Sequence, residues 1–477
     1  MTDPTVIVLG GGIAGLYYAY RLIKSSPCCI EIWDKQASQT TTSLGRIRSV
    51  YAKCGRLEYE AGPWRINLCH EKMRELCHEL DIHLAEAPQK QTKTNSSPLT
   101  DSKVKGPNFS RLDRYLASEP DLSSSLRKDI ASGYMTSSYK PDITRTPCMR
   151  KGFLYPVQGF AHIHHKIKRT LQLHVRFCYD RLVLDVDPSG RWVRWRPTSS
   201  LEVRTRTLSE RDRIVIACPP YFTRLWPLYA KAAILPSASV ETVSLCRIFV
   251  KLTQTTASHD FHVVVPESRL QQISTTPGLR YLQISYSQGP IARHWHRIHV
   301  NDKTMLISEL QREWKKLSPD YTRRFQIDWS VEPSVYFWEH GIHRFRAGYG
   351  FHLDRVVRAC IYPIPSCIRI LQIGEAYSGF QGWCEGALQT VDMAHSDTVV
   401  PRCILPRQSP CLSLGGWSVP IQEWIDRHPG GRQSLLNHID DADCVHAMLR
   451  VGHSTNAFAI AFYLAVRYMY TKRIIYS

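Results

Sequence analysis

Three glycines near the N-terminus have the spacing of a dinucleotide-binding turn. The segment Thr5–Leu16 reads Thr-Val-Ile-Val-Leu-Gly-Gly-Gly-Ile-Ala-Gly-Leu, so Gly10, Gly12 and Gly15 directly follow an apolar, β-branched run. In such a turn the first glycine permits the bend, the second lets backbone approach a pyrophosphate, and the third lets the next helix pack on the strand. Asp34 ends the next apolar run, where a carboxylate can accept from ribose hydroxyls. The pattern predicts a site for FAD or NAD, because an acid suits a ribose without a phosphate.

Strands and a helix must position these residues. The run before Gly10 predicts a strand, and a helix is expected to begin near Ile13 with its positive dipole end toward the phosphates. Apolar patterning also predicts strands over 28–34, 175–186 and 213–218. Helical spacing predicts amphipathic helices over 69–84 and 161–173. This alternation of strands and helices favours an α/β fold.

Length and composition indicate a globular protein of two or three domains. The chain has 477 residues, 43% of them hydrophobic, and 12 tryptophans. The longest apolar candidate for a membrane span, 457–469, is short and carries Arg467. Nothing before Thr5 has the form of a secretory signal. We therefore expect a soluble, intracellular protein of the cytoplasm with no transmembrane segment.

Cysteine usage and net charge exclude several classes. The 15 cysteines are odd in number and contain no Cys-x-x-Cys pair, which predicts neither a disulfide framework nor a zinc site. The formal net charge is +19, and the basic residues are spread along the chain. Such charge can steer acidic partners toward a protein. No nucleic-acid-binding motif accompanies it, so nucleic acid is not an expected partner.

Three further segments resemble the flavin-containing amine oxidase family, which includes monoamine, polyamine and L-amino-acid oxidases. Gly45-Arg46 matches the end of that family's Gly-Gly-Arg turn, with Leu44 in place of the first glycine, and Gly62-Pro-Trp-Arg65 follows. The third segment, 370–389, reads Ile-Leu-Gln-Ile-Gly-Glu-Ala-Tyr-Ser-Gly-Phe-Gln-Gly-Trp-Cys-Glu-Gly-Ala-Leu-Gln. The resemblance implies that FAD is the cofactor and is bound by Gly10, Gly12, Gly15, Asp34, Gly45, Arg46, Gly62, Pro63, Trp64, Arg65, Leu182, Gly374, Glu375, Gly382, Trp383 and Ala387.

The same resemblance implies an α/β architecture in which a Rossmann-like FAD-binding domain is interleaved with an α+β substrate domain. The FAD-binding domain would comprise 1–68, 151–240 and 361–398. A mainly helical segment of the substrate domain would occupy 69–150, and the rest of that domain 241–360. Residues 399–413 are rich in Pro and Cys and predict a linker.

Two histidines in the last segment, 414–477, have the setting of haem ligands. His428 lies in Trp424-Ile-Asp-Arg-His-Pro-Gly-Gly431, and His453 lies in Val451-Gly-His-Ser-Thr455. The pair resembles the cytochrome b5 haem-binding domain, a small α+β module. The resemblance implies haem b with two axial imidazoles, a ligation that suits electron transfer. A degenerate b5-like fold without haem is the alternative.

By resemblance, the chemistry is oxidation of a neutral amine by hydride transfer to flavin, followed by hydrolysis of the imine. Two residues are assigned catalytic roles: Trp383 as an aromatic wall that also binds substrate, and Arg247 in the position of the family's water-holding lysine. Lys251 takes that position under a shifted alignment. Arg65 matches the Gly-Pro-x-Arg of L-amino-acid oxidases and is expected to bind a substrate carboxylate.

The favoured hypothesis is therefore an L-amino-acid oxidoreductase whose electrons pass to oxygen or to a one-electron acceptor such as the b5-like haem. A primary amine or polyamine oxidase, with Arg65 in a structural role, is one alternative. A flavoprotein fold kept as a non-catalytic binding module is another, and an isoprenoid desaturase is more distant.

Overall fold

The computed structural model describes residues 4–25, 28–36, 45–87, 152–224, 226–231, 240–255, 262–265, 268–345, 353–364, 366–399, 411–414 and 417–420. The chain divides into one unit of residues 1–345 and 354–395 and a second of residues 346–353 and 396–477. All the predicted flavin-site residues belong to the first unit.

The strands of the described residues are β1 (Thr5–Leu9), β2 (Cys29–Trp33), β3 (Ser49–Tyr51), β4 (Leu57–Glu60), β5 (Ile66–Asn67), β6 (Leu84–Ala87), β7 (Phe153–Pro156), β8 (Val175–Cys178), β9 (Leu182–Val186), β10 (Trp192–Arg196), β11 (Arg204–Thr207), β12 (Arg213–Ile216), β13 (Val240–Thr255), β14 (His262–Val265), β15 (Gln271–Thr275), β16 (Tyr281–Gln288), β17 (Phe325–Ile327), β18 (Ser334–Phe345), β19 (Ile370–Gln372), β20 (Cys411–Leu414) and β21 (Trp417–Pro420).

The α-helices of the described residues are α1 (Ile13–Ile23), α2 (Glu71–Glu79), α3 (Phe160–Leu171), α4 (Pro220–Thr223), α5 (Gly289–Asn301), α6 (Lys303–Lys315), α7 (Pro319–Arg324), α8 (Leu353–Ile361) and α9 (Cys384–Val399). Short 3-10 turns occupy Pro227–Lys231 and Glu375–Tyr377.

A parallel sheet forms the layer beneath the glycine turn. Within the described residues its strand order is β19-β12-β1-β2-β8. The central strands are mainly apolar, and Ile7, Val8 and Val215 are fully buried, as expected for parallel strands covered on both faces. The chain leaves β1 on one side to form β2 and returns on the other to form β12. Ligands of such sheets bind beyond the carboxyl end of the strand where this reversal occurs, which here is β1 with its glycine turn.

An antiparallel sheet forms the second layer of the first unit. In the part of the chain that the structure describes, its order is β14-β15-β16-β13-β17, and β18 pairs with the long strand β13. The helices α5 and α6 cover one face of this sheet, where Trp295 and Leu306 pack in a common core with Ile248 and Ile284. The layer thus presents side chains of β13 and β16 to the site.

Two elements differ from the sequence-based expectation, and backbone conformation explains both. The single strand expected over 175–186 is two strands, β8 and β9, because Asp180 adopts a φ of 57° and turns the chain between them. The helix expected over 69–84 ends at Glu79, because Asp81 adopts a φ of 51°, and the chain then forms β6. Both residues are aspartates, which tolerate this left-handed region better than most.

The second unit is described only in part. β20 and β21 form an antiparallel pair in which Cys411 lies opposite Pro420. The predicted haem ligands His428 and His453 lie outside the described residues, as does Leu44 of the Gly-Arg turn. Among the described helices, we find none with the length and apolar character needed to cross a membrane.

Candidate functional site

One cavity of about 1430 Å³ is lined by both layers of the first unit. It contacts the glycine turn after β1, the Gly62–Arg65 segment, β13, β16 and the start of α9. Sixteen of the residues predicted from the sequence line it: Gly10, Gly12, Asp34, Gly45, Arg46, Gly62, Pro63, Trp64, Arg65, Leu182, Arg247, Gly374, Glu375, Gly382, Trp383 and Ala387. Gly15 does not line it. Residues scattered over nearly 380 positions therefore meet at one cavity.

The glycine turn at one end of the cavity has the form that a pyrophosphate needs. A Cβ at Gly12 would meet no atom within 4 Å, so this position faces open space. A Cβ at Gly15 would instead overlap the carbonyl oxygen of Gly10, because α1 packs closely on the turn there. The helix α1 begins at Ile13, and Gly12 supplies no side-chain cap. Its first N–H groups are thus left for an anion.

Asp34 is held against this turn by backbone donors. Its Oδ2 accepts from Gly11 N at 2.8 Å and its Oδ1 from Gln36 N at 2.9 Å. Each carboxylate oxygen can accept more than one hydrogen bond, so Asp34 retains capacity for a ribose hydroxyl. His164 supports the turn from α3, with its Nε2 3.0 Å from Gly11 O. Burial lowers the pKa of His164 to about 4, so the neutral ring donates from Nε2.

An ion pair joins distant parts of the chain at the middle of the cavity. Arg46 Nη1 lies 2.6 Å and His343 Nδ1 lies 2.9 Å from Glu375 Oε2, and Gly382 N donates to the other oxygen of Glu375. Burial opposes ionisation of Glu375, but the charges of Arg46 and His343 outweigh it and lower its pKa to about 2. Because Glu375 is ionised and can only accept, Nδ1 of His343 carries the proton. The predicted contact of Glu375 with FAD stays a prediction.

The other end of the cavity contains a stack of planar side chains. The guanidinium carbon of Arg65 lies 4.4 Å from the ring centroid of Trp64 and 4.6 Å from that of Phe153. Phe153 in turn lies nearly parallel to Trp383, at 6.3 Å between centroids and 10° between planes. The edge of His70 meets Trp383 with centroids 4.7 Å apart. Arg65 and Trp383, the two predicted substrate-binding residues, therefore share one aromatic neighbour.

Trp383 carries a polar atom that the described residues leave unsatisfied. Its Nε1 is buried and has no hydrogen-bond partner in this part of the structure. A buried donor without a partner is costly, about 1–3 kcal/mol. Since Trp383 lines the cavity, a ligand bound there could accept this hydrogen bond. His70 packs against the Trp383 ring and is itself held in place. Burial lowers the pKa of His70 to about 4, and its neutral Nδ1 accepts a hydrogen bond from Asn67 N at 3.1 Å.

Arg247 is buried, and its donors meet protein acceptors. Its Nη1 donates to Ala61 O at 3.1 Å and to Gly62 O, and its Nε donates to Gln283 Oε1 at 2.7 Å. Gln283 passes the contact on by donating to Ser274 Oγ at 3.1 Å. Burial lowers the pKa of Arg247 to about 10, which leaves it charged at neutral pH. These hydrogen bonds connect the strand β13 to the segment that carries Trp64 and Arg65. The water-holding role of Arg247 stays a prediction.

These residues fit an extended dinucleotide such as FAD. The open positions at Gly12, Gly45 and Gly374, where a Cβ would meet no atom within 4 Å, and the uncapped start of α1 suit backbone contact with phosphates. Across the described residues there is no group of three His, Cys, Asp or Glu side chains that could hold a metal ion.

Sequence reasoning did not single out four residues of the site: His70, Phe153, Gln283 and His343. His343 lies on the strand β18, whose run of apolar and aromatic residues shows no alternation that would mark it as an inward position. His70 and Phe153 are single residues without motif neighbours, and only the pairing of β5 with β7 brings their segments together. Gln283 lies opposite Phe249 in the register between β13 and β16, within hydrogen-bond distance of Arg247, and the sequence does not specify this register.

The parallel sheet with an inserted antiparallel layer defines a fold of the flavin amine-oxidase type. Solved structures with this fold include a proposed protoporphyrinogen oxidase from Exiguobacterium sp. 255-15, with a TM-score of 0.60, 13% identity, and coverage of 84% of this chain and 100% of that one. Another is a putrescine oxidase triple mutant redesigned in cofactor binding, with a TM-score of 0.57, 13% identity, and coverage of 83% and 99%. No protein-family profile and no curated protein matches the sequence. At this identity the likeness shows the fold alone.

Proposed function

We propose that this chain is an FAD-dependent oxidoreductase that oxidises a small amine, with an L-amino acid as its substrate. One observation carries the proposal: Arg65 and Trp383 meet through Phe153 in the same cavity that contains the glycine turn. When bound, FAD supplies the hydride acceptor for such an oxidation. The likeness in fold to a putrescine oxidase supports the oxidation of an amine.

The chain's own residues would orient the cofactor by its two ends. Gly12 and the start of α1 would receive the pyrophosphate, and Asp34 would accept from the ribose. The start of α9 follows Gly382 and Trp383 directly, so its positive dipole end would face the flavin ring. Such a helix end stabilises negative charge that develops on a reduced ring.

Arg65 would bind the substrate carboxylate. Its guanidinium carbon lies over the rings of Trp64 and Phe153, and a guanidinium presents its N–H groups at the edge of its plane. A carboxylate can accept two of these N–H groups side by side. Trp383 would then form the wall beside the α-carbon. The aromatic surroundings would exclude water and favour the neutral amine, which is the form that gives up hydride.

A visible absorption spectrum of the purified protein tests the cofactor, and anaerobic titration tests the substrate. We expect flavin absorbance that is bleached by a panel of L-amino acids and not by putrescine. If putrescine bleaches the flavin and no L-amino acid does, the substrate is a primary amine and Arg65 is structural. A protein without flavin absorbance would instead indicate a binding module.

The variant Arg65→Lys separates charge from shape. Lysine keeps the positive charge but cannot offer two parallel donors. We expect kcat/KM for an L-amino acid to fall roughly 100-fold, since breaking a buried charged contact costs about 2–5 kcal/mol. Arg323→Ala is the control, because Arg323 is exposed on α7 and pairs locally with Asp320. Unchanged kinetics in Arg65→Lys would contradict the carboxylate role.

We also propose that the C-terminal module binds haem b and accepts electrons from the reduced flavin. The support is the pair of motifs around His428 and His453. A dithionite-reduced spectrum should show a six-coordinate b-type haem, and His428→Ala and His453→Ala should each abolish it. Flavin bleaching by substrate while the haem stays oxidised would contradict the relay.

A further inference from the structure

Three cations line the cavity at the end that contains the glycine turn. Lys35 directly follows Asp34, whose carboxylate accepts from the turn. Arg181 donates its backbone N–H to the carbonyl oxygen of Asp34 at 2.9 Å. Lys168 lies one turn of α3 beyond His164, which contacts the glycine turn. Lys35 is exposed and the other two are partly exposed, so we call Lys35, Lys168 and Arg181 the cationic rim.

Aromatic rings hold the two lysines of the cationic rim. Lys35 Nζ lies 4.0 Å from the ring centroid of Phe222. Lys168 Nζ lies 5.0 Å from the ring centroid of Tyr179. The face of an aromatic ring attracts a cation because of its quadrupole, but the ring itself is neutral. Both lysines are therefore oriented without losing their positive charge to a carboxylate.

Arg181 is held in the same way by two tryptophans. Its guanidinium carbon lies 4.4 Å from the ring centroid of Trp33 and 4.6 Å from that of Trp195. Two acids lie close to it in the chain or the sheet, and each has another partner. Asp180 accepts from Thr198 N, and Glu31 pairs with Arg176. Neither acid lines the cavity.

The cationic rim keeps an excess of positive charge. Among the described residues, none of its three members forms an ion pair, and neither does Arg169, which also lines the cavity. The acids that line the cavity are Asp34, Glu339 and Glu375. Glu375 is paired with Arg46. Two acids therefore stand against four cations that have no ion pair.

We propose that the cationic rim draws the negatively charged pyrophosphate of FAD into the cavity and so speeds formation of the holoenzyme. Charges of one sign that line a cleft concentrate ligands of the opposite sign and raise their association rates. Because its members are exposed or partly exposed, the rim meets a phosphate that arrives from solvent, and Gly12 and the start of α1 bind it afterwards. The inference rests on the proposed function, since it takes FAD as the cofactor.

The test is the rate at which the full-length protein, freed of flavin, binds added FAD, followed by the change in flavin fluorescence. The double variant Lys35→Gln/Lys168→Gln removes two charges of the rim. We expect its association rate constant to be roughly tenfold lower than that of the unmodified protein at low ionic strength. The difference should disappear in about 1 M salt, where the Debye length is about 3 Å, compared with about 30 Å at 0.01 M.

The dissociation rate distinguishes steering from a structural defect. Loss of steering slows association at low salt and leaves dissociation of FAD nearly unchanged. A distorted site would instead release FAD faster at every salt concentration, and that result would overturn the inference.

The double variant Lys53→Gln/Lys315→Gln is the matched control. Both lysines are exposed, do not line the cavity and form no ion pair with the described residues, so the change in net charge is the same. We expect the control to bind FAD at the rate of the unmodified protein. An equal slowing in the control would show that the net charge of the whole chain attracts FAD, and the rim would be overturned.

Arg181 is tested by charge alone. We expect Arg181→Gln to slow association at low ionic strength and Arg181→Lys, which keeps the charge, to restore most of the rate. Equal rates in these two variants would overturn the assignment of Arg181 to the rim.

The outcomes separate this inference from the proposed function. If the unmodified protein does not bind FAD, the proposed function fails and the inference fails with it. If the unmodified protein binds FAD and Lys35→Gln/Lys168→Gln binds it equally fast at low ionic strength, the proposed function stands and the cationic rim is overturned.

Discussion

The two ends of the cavity are built in different ways. The end at the glycine turn is built from backbone: open space at Gly12, the uncapped start of α1, and Asp34 held by two N–H groups. The end at Arg65 is built from side chains stacked on one another. A phosphate needs only N–H groups and room, so the first end can serve any dinucleotide. At the second end, the charge of Arg65 and the alignment of the rings define what can bind.

The difference predicts how substitutions act. Changes at the glycine turn should act through volume and should affect folding or cofactor binding. Changes near Arg247 should act through alignment and charge and should affect turnover while the flavin stays bound. The ion pair of Arg46 and Glu375 lies between the two ends, so substitutions there should affect both cofactor binding and turnover.

The largest effect is expected from a pair of glycine variants at the turn. In Gly15→Ala the new methyl group overlaps Gly10 O, so α1 must move, and we expect a loss of about 3 kcal/mol or more in the free energy of unfolding. In Gly12→Ala the methyl group enters open space, so the fold should persist while flavin binding weakens roughly 100-fold. Denaturant unfolding and flavin titration measure the two effects. Flavin binding by Gly12→Ala equal to that of the unmodified protein would place the pyrophosphate elsewhere.

A smaller loss in the free energy of unfolding is expected from Glu375→Gln. It leaves Arg46 and His343 without their carboxylate, at a cost of about 3 kcal/mol, the lower part of the range for buried pairs because Arg46 is partly exposed. The pKa of Glu375 is depressed to about 2, so the ion pair stabilises the fold above about pH 4.5, and this contribution is lost as pH falls toward 2. The variant should therefore lose less stability than the unmodified protein between pH 5 and pH 2. Parallel acid-unfolding curves would contradict this.

Arg247→Lys tests alignment at the substrate end. A lysine cannot contact the carbonyls of Ala61 and Gly62 and Gln283 at once, so the segment carrying Trp64 and Arg65 should shift. We expect roughly a 10–100-fold fall in kcat/KM, as for small misplacements of a binding group, with flavin content retained. A rise in turnover would contradict the positioning role and favour a lysine-held water.

The smallest effect is expected from Glu60→Gln. The Glu60 carboxylate accepts from Phe160 N at 2.7 Å and from Ser49 Oγ, and burial raises its pKa from the usual 4.5 to about 8. The protonated form is thus favoured in the folded state, and stability is lost as pH rises from about 4.5 through 8. The glutamine variant should flatten this loss, with a difference of about 1 kcal/mol or less in the free energy of unfolding near pH 5, where the buried Glu60 carboxyl is still protonated. Thermal unfolding from pH 5 to pH 9 measures it.

The glycine-turn end of the cavity could be predicted from the sequence because the residues that form it are close together in the chain. The sequence predicted the α/β class, and α1 begins at Ile13 as expected. Here the strand, the turn and the helix follow one another within about 20 residues, so spacing alone carries the information.

The substrate end could be read only in part, because pairing between distant strands creates it. Phe153 reaches Arg65 only through the pairing of β5 with β7, and Gln283 reaches Arg247 only through the register of β13 with β16. The resemblance assigned Arg247 the position of a water-holding lysine but did not predict its contacts with the carbonyls of Ala61 and Gly62. The break at Asp180 was missed as well, since a single residue with positive φ leaves the apolar alternation around it unchanged.

The ion pair between Arg46 and Glu375 also constrains how the protein is made. Its partners are 329 residues apart, a distance that a ribosome covers in on the order of half a minute. From the synthesis of β12 until that of β19, β12 lacks this neighbour and exposes an unpaired edge, and the cavity lacks one of its walls. A nascent chain cannot complete the site before residue 375 has emerged, so chaperones that cover open sheet edges should associate with it until late in synthesis.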